Sequence, residues 1–442
     1  MIKKPDSHWR YKVIRDPLYG FIGLTRREVE LINSEWFIRL LRIKQLSHTF
    51  LVYPGAMHTR YEHSLGALYV ADRMATQLEL DNHEREIVRA AALLHDLGQG
   101  PFSHLFDEVF SLVRSKHDHE HLTKFIVENE ESIKNTLEGK RSYQENDIYK
   151  DVLEILDPEK RLHKNILLAD IISGGLDCDK LDYLRRDSYH AGVAYGIFDI
   201  ERVLNTITKN SKNRLCISMK GKDALESYRL GRYLMHLQVY HHHTREIADS
   251  MFLKAVKSAL NDEKLFDDHR TLAEKLTLNK TSIREFLNFY KELDDYSIYS
   301  ILKKSSGPSK RLIDMLEKRK LLKRAVALDL TSGRDVPDAT ERKMLVDMSE
   351  EEMDELSEKI AKKIQDPTEY VIVRRSEISI KLYEEYEILV YDEEKNETYD
   401  LYELSPFGIR KESIVRFYVF SRPEKRNEAR KAFKEITGVK AL

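Results

Sequence analysis

The stretch from residue 84 to residue 104 constrains the fold more than any other part of the chain. Residues 84 to 97 put Val88, Ala91, Ala92 and His95 on one helical face, and Gly98 followed by Pro101 stops the helix. The helix is apolar up to its end, where His95 and Asp96 stand side by side. An ionised carboxylate beside an imidazole on a core-facing helix end is costly unless a cation or a hydrogen-bond network compensates it, and a divalent metal ion does so directly. A capped, satisfied core pair would carry the same two residues, so the dipeptide needs further ligands to become a site.

Two further ligands are available. His63, in RYEHS, opens a helix over residues 61 to 78 with Tyr61, Leu65, Leu68, Ala75 and Leu78 on one stripe, and Asp179, in LDCDKLDYLRRD, lies in a later helix. Three helices can therefore converge on one cation through His63, His95, Asp96 and Asp179. This mixed nitrogen and oxygen set suits Mg, Mn, Fe, Ni, Co or Zn, with positions left for water and substrate. Cys178 and Cys216 supply neither a CxxC spacing nor a disulfide framework, which favours a reducing compartment and His/Asp ligation. A metal in such a set acidifies its water and polarises a phosphoryl oxygen, so phosphoester hydrolysis is the chemistry these ligands point to.

A chain of 442 residues exceeds one small core, and 41% hydrophobic residues supply a packed interior. The 73 basic and 75 acidic residues nearly cancel, so no global field favours nucleic acid and an anionic ligand must be met by local charge. Met1 to Trp9 is polar and no apolar run approaches the roughly 18 residues of a membrane span. The expectation is a soluble cytoplasmic protein with no membrane partner. Tyr11 to Thr25 carries short β-prone runs broken by Pro17, Gly20 and Gly23, which suits two small strands. Helices then dominate through about residue 260 and again to about 325, with a polar loop at 138–146. Ser349 with Glu352 forms a capping box ahead of Met353, Leu356, Ile360 and Ile364, which predicts a helix over 349–365. YVIVRR, YEILVYD and IVRFYVF read as strands and 422–436 as a helix. The expected fold is mostly α: strands and first helices at 1–48, a helical core at 49–330 and a small C-terminal α+β appendage at 331–442.

Five segments, DPLYG, RLLRIKQL, YPGAMHTRYEHSLG, HDLGQGPFSH and DCDKLDYLRRDSYHAG, set the four ligands in a wider text. That text resembles the HD-domain deoxynucleoside triphosphate triphosphohydrolases, and among them the subgroup that joins a sterile-alpha-motif domain to the HD domain, although no sterile-alpha-motif text is read in this chain. The resemblance runs nearly continuously from about residue 10 to 200, continues near 225–260 and returns in FYVFSRPEKRNEARKAF. It implies an HD-domain helical bundle, one divalent metal ion, a dNTP substrate split into deoxynucleoside and inorganic triphosphate, and a homo-oligomer, dimer or tetramer, with a nucleotide effector.

On the substrate side the residues alone give Lys180, Tyr183 and Asp187 at i, i+3 and i+7 beside Asp179, and His104 and Asp107 three apart on one helical face. The resemblance implies the roles. Gln45 and Leu46 contact the sugar, while Arg60, Lys180 and Arg232 meet phosphate. Asp187 accepts the sugar 3′-hydroxyl, Tyr183 fills the space of a 2′-hydroxyl and Tyr240 lies near the base. His104, Asp107 and His119 form an acid-base group at the scissile bond.

Two departures bear on activity. Gln99 stands where the family writes histidine, and glutamine donates a hydrogen bond to phosphate but carries no proton or charge. Lys12 is kept at the family's guanine-nucleotide activator site, but Asn33, Ile38 and Leu41 lack the groups that would pair with guanine, so guanine activation is not expected and another nucleotide effector stays open. His241 replaces a glutamine near the base, which leaves base preference open. The run 241–243 cannot share one helical face and is not read as a second metal site. Two alternatives stand beside the main reading. One is a nuclease, phosphodiesterase or nucleotide monophosphatase on the same core, against which the sugar-sized stop of Tyr183 and Leu46 argues. The other is a nucleotide- or nucleic-acid-binding oligomer whose catalysis is weakened through Gln99.

Overall fold

The computed structural model describes residues 10–113, 118–140, 146–159, 165–277, 282–331, 337–378, 387–406 and 413–439. The polar terminus at 1–9, residues 141–145 of the expected loop and His117 of the histidine-rich run lie outside them. The described residues are mostly helical, as expected. They form two compact units, each assembled from separate stretches: the first from 1–235, 282–296 and 383–408, the second from 236–281, 297–382 and 409–442.

The first unit opens on the expected hairpin. Strands β1 (Lys12–Asp16) and β2 (Gly20–Leu24) pair antiparallel, Lys12 opposite Leu24 and Asp16 opposite Gly20. Asp16 closes the turn by accepting the Leu18 and Tyr19 N–H groups on Oδ1 at 2.8 and 3.0 Å, the local bonding that makes aspartate a turn residue. Helices α1 (Arg60–Gln77) and α2 (Asn82–Leu94) follow, then the short α3 (Leu105–Leu112) and α4 (His119–Asn129). Helix α5 (Cys178–Ala191) packs across α1, and α1 packs along α2. Leu68, Ala71, Val88, Ala91, Leu94, Leu181 and Leu184 are fully buried between them. Each large aliphatic there contributes about 1.5–3 kcal/mol by leaving water.

The α1–α5 crossing depends on Gly66, where a Cβ would stand 2.0 Å from Asp182 Oδ1 and 2.3 Å from the Arg186 guanidinium. A residue without a side chain lets a buried ion pair sit between two helices.

The region expected to stay helical to about 260 instead contains a hairpin, β3 (Ile207–Lys209) and β4 (Leu215–Ser218), joined through a turn in which Asn210 accepts two backbone N–H groups and Asn213 is left-handed at φ 56°. Helix α6 (Lys222–Met235) follows. The strand Leu389–Asp392, read from sequence as part of a C-terminal appendage, pairs parallel with β4, and Glu397–Asp400 adds to its outer side.

The second unit has its own core. A three-stranded antiparallel sheet places Ile414–Ser421 between Lys323–Asp329 and Ile372–Ile378, so the second helical block ends at Glu317 rather than about 325. Helices Glu350–Lys363 and Arg426–Thr437 pack on this sheet, burying Leu356, Ile360 and Phe433 against Val326, Val373, Phe417 and Val419. The Ser349–Glu352 capping box starts the first of these helices as predicted. The histidine run has separate local duties in this unit: His241 bonds Glu246 at 3.0 Å, and the His242 side chain caps His243–Ala259. Among the described residues, neither group able to hold a metal includes any of the three.

Candidate metal centre and acid-base group

Three helix ends bring the proposed ligands together. His63 lies in the first turn of α1, His95 is the C-terminal cap of α2 and Asp179 lies in the first turn of α5. His63 Nε2 is 2.9 Å and His95 Nε2 3.7 Å from Asp179 Oδ1, and Asp96 Oδ2 is 3.6 and 3.5 Å from the same two nitrogens. His63, His95 and Asp179 offer three atoms close enough to share an ion.

What the other ring nitrogens do decides the tautomers. His95 Nδ1 lies 2.7 Å from the Ala92 carbonyl, which can only accept, so that nitrogen carries the hydrogen. His63 Nδ1 lies 2.8 Å from Asp182 Oδ2, and Asp182 is itself clamped by Arg186 at 2.9 Å. Both Nε2 atoms are buried and face Asp179. Two imidazole nitrogens and a carboxylate facing one point, with the outer nitrogens pinned, are the donor set that a divalent cation would claim by displacing the protons.

Charge strain points the same way. Burial pulls the His63 imidazole down, yet the close carboxylates of Asp179 and Asp182 outweigh it and push it up to about 10. Asp179 and Asp96 are held well below the usual carboxylate range despite burial, Asp179 by the two histidines and Asp96 chiefly by Arg60. A cation at this point would take over the role of those protons.

A second cluster lies at the end of the same loop. Gly98 leads the chain out of the His95 turn, and a Cβ there would stand 2.4 Å from the His119 carbonyl and the Thr123 nitrogen, so only glycine lets the loop lie against α4. Thr123 Oγ1 accepts the Gly98 N–H and donates to the His95 carbonyl, each at 2.9 Å. His104 then caps α3, which places Asp107 in its first turn, and His119 begins α4. Asp107 Oδ2 is 3.3 Å from His104 Nδ1 and 2.9 Å from His119 Nδ1, while Oδ1 accepts the His119 N–H at 3.1 Å. Burial would lower His119, but Asp107 raises it to about 9. The same pairing holds Asp107 well below its ordinary value against the opposing effect of burial.

The expected phosphate ligands are already engaged. Arg60 donates to Asp96 at 2.6 Å and to Ser103 Oγ at 2.8 Å. Lys180 pairs with Asp177 and donates to the Gly174 carbonyl at 3.1 Å. Arg232, on α6, interacts with Tyr183. Asp187 Oδ1 accepts from His58 Nε2 at 2.7 Å, and the His58 carbonyl accepts the Gln45 N–H at 3.0 Å, so Gln45, with Leu46 buried beside it, is tied to Asp187. Gln99 is fully buried and donates to Asp96 Oδ1 at 3.3 Å. Tyr240 belongs to the second unit.

Sequence reasoning missed Asp182, Arg186 and His58. Asp182 carried a signal, since it stands three residues after Asp179 and four before Arg186, the spacing of a buried intrahelical pair. His58 carried none, because its partner Asp187 is 129 residues away.

Comparison with known proteins agrees with this geometry. The family described as the HD domain matches residues 60–186, and the HD associated region matches residues 198–441. An uncharacterised protein of Methanocaldococcus jannaschii is 37% identical over 66% of this chain and 61% of its own length. The deoxynucleoside triphosphate triphosphohydrolase SAMHD1 of Homo sapiens is 35% identical over 55% of this chain and 44% of its own. The matches thus span between about half and two thirds of those relatives. The crystal structure of a phosphohydrolase from Bacteroides thetaiotaomicron superposes with a TM-score of 0.72 at 25% identity, covering 93% of this chain and 99% of that one. The chain belongs to the HD-domain family, in the branch that carries the HD associated region.

Proposed function

We propose that this HD-domain phosphohydrolase cleaves deoxynucleoside triphosphates into deoxynucleoside and inorganic triphosphate. The observation that carries the reading is the pairing of two differently prepared clusters linked by the loop from His95 to His104: His63 and His95 with both Nε2 atoms turned to Asp179, and His104 and His119 with both Nδ1 atoms turned to one ionised oxygen of Asp107. One divalent cation held by His63, His95, Asp179 and Asp96 would polarise a phosphoryl oxygen and acidify water. Asp107 keeps His119 protonated at neutral pH, so His119 can deliver a proton to the departing sugar oxygen, with His104 held on the same carboxylate beside it. Lys180, Arg232 and Arg60 offer positive charge to the triphosphate once their present partners yield to it. Asp187, held by His58, meets the 3′-hydroxyl, Tyr183 and Leu46 exclude a 2′-hydroxyl, and Gln45 contacts the sugar.

The relative named as a deoxynucleoside triphosphate triphosphohydrolase supports the substrate class. We extend the reading to a homo-oligomer controlled by a nucleotide effector, read out by sizing the protein with and without dNTP. Buried, unpaired Cys178 and Cys216 fit a cytoplasmic setting, and no described helix is long and apolar enough to cross a membrane. Incubating manganese-loaded protein with each dNTP and each rNTP, then resolving the products, tests the central claim. Triphosphate released from dNTPs alone is expected; orthophosphate or pyrophosphate as the product rejects it.

A further inference from the structure

Phe102 and Ser103 hold φ of 60° and 59°, two successive residues in the left-handed region directly before His104. Side chains with a Cβ rarely adopt that conformation, and it persists only where the surroundings over-determine it. The group that holds it lies 193 residues away. Asp295, 2% exposed in the first turn of the helix Asp295–Lys304, accepts the Phe102 N–H on Oδ1 at 2.6 Å. Its Oδ2 accepts the Lys44 N–H at 3.0 Å and the Lys44 ammonium at 3.3 Å. Ser103 Oγ completes the link by donating to the Lys44 carbonyl at 2.7 Å and accepting from Arg60 Nε at 2.8 Å. The Phe102 ring is stacked on His48, centroids 4.4 Å apart.

We propose that Asp295 is a positioning residue for the reaction: one buried carboxylate locks the strained turn that presents His104 to the turn that presents Gln45 and Leu46. The acid-base group and the sugar contacts thereby keep a fixed spacing, and a displacement of about 1 Å at such a group costs on the order of 100-fold in rate. A carboxylate buried this deeply is tolerated because it receives three hydrogen bonds, two from backbone donors that would otherwise be left unsatisfied. Its three hydrogen bonds go to Phe102 and Lys44 and to none of His63, His95 or Asp179, so metal content reads out separately from its loss. The assignment rests on the catalytic reading of His104 given above.

The test compares D295A, H104A and the D295A/H104A double variant in manganese-loaded protein, with hydrogen exchange over residues 100–106, metal content and dNTP kinetics as readouts. D295A is expected to exchange at least about tenfold faster over 100–106, with α1 and α5 peptides and manganese content as in the wild type, and to lose about 30-fold or more in kcat. The double variant is expected to lose clearly less than the product of the two single losses, because much of the Asp295 effect runs through His104. Unchanged exchange over 100–106, a uniform rise across the first unit, or losses that multiply in the double variant each overturn the proposal. Should D295A fail to fold, Ser103→Ala keeps the test alive: faster exchange over the same peptide with a smaller fall in kcat supports the lock, and wild-type behaviour in both overturns it. H104A with full activity rejects the catalytic reading instead, and exchange in D295A then judges the lock by itself.

Discussion

The two histidine–carboxylate clusters are built from the same residue types and are both compact enough to enclose an ion, yet they are prepared for different work. In the first, each imidazole is pinned through Nδ1, by Asp182 or by the Ala92 carbonyl, and the buried Nε2 atoms both turn to Asp179. In the second, the Nδ1 atoms themselves turn to one oxygen of Asp107, and His104 keeps 64% of its side chain exposed. A pinned outer nitrogen makes a ligand; an inward-bonded nitrogen on an exposed ring makes a proton carrier. Distance between candidate atoms does not separate the two roles, whereas the partner of the second nitrogen does.

The largest effect should come from breaking the first cluster. His63→Ala or Asp179→Ala is expected to abolish retention of manganese through gel filtration and, with it, hydrolysis; either variant keeping a full equivalent of metal would break the contrast. Next, Asp107→Asn should retain metal while kcat falls by about 100-fold or more, as expected for loss of a general acid–base pair. Its pH profile adds a sign. His119 is raised to about 9, so its protonated form, and the stability gained by pairing with Asp107, is fully present below about 6.5 and lost as pH rises through about 9. The alkaline limb of kcat should lie near 9 in the wild type and move downward in Asp107→Asn, where burial remains without the carboxylate. A limb that stays near 9 in the variant assigns it to another group.

A smaller effect is expected at the outer partner. Asp182→Asn, measured by competition with a chelator, should weaken metal affinity about 10–100-fold, as loss of a ligand-orienting carboxylate does. Smallest of all is Gln99→His. Gln99 is occupied in bonding Asp96, so restoring histidine should change kcat by less than about tenfold, whereas a new proton donor would add 100-fold or more.

The candidate ligands could be picked out because each sits near a helix end, most plainly His95, where an apolar run stops at a glycine and a proline. The same holds for the hairpin at 12–24 and the capping box at Ser349. Asp295 and His58 act on residues 193 and 129 positions away, so their roles exist only once the chain is folded. The β3–β4 hairpin escaped notice because strands of 3 and 4 residues are too short to display alternation, and β4 is buried along its whole length. Arg60 and Lys180 were read as phosphate ligands from the family text, which says nothing of Asp96 and Asp177 as their resting partners.

The parallel pairing of β4 with Leu389–Asp392 has a consequence for how the chain is made. During synthesis the edge of β4 stays open from the time residue 218 emerges until residue 392 follows, and an open strand edge is a template for foreign strands. This interval is when mispairing and capture by chaperones should peak. A protease cut in the stretch before residue 389 would detach more than a peripheral layer, since it would free a structural member of the unit that carries the histidine clusters.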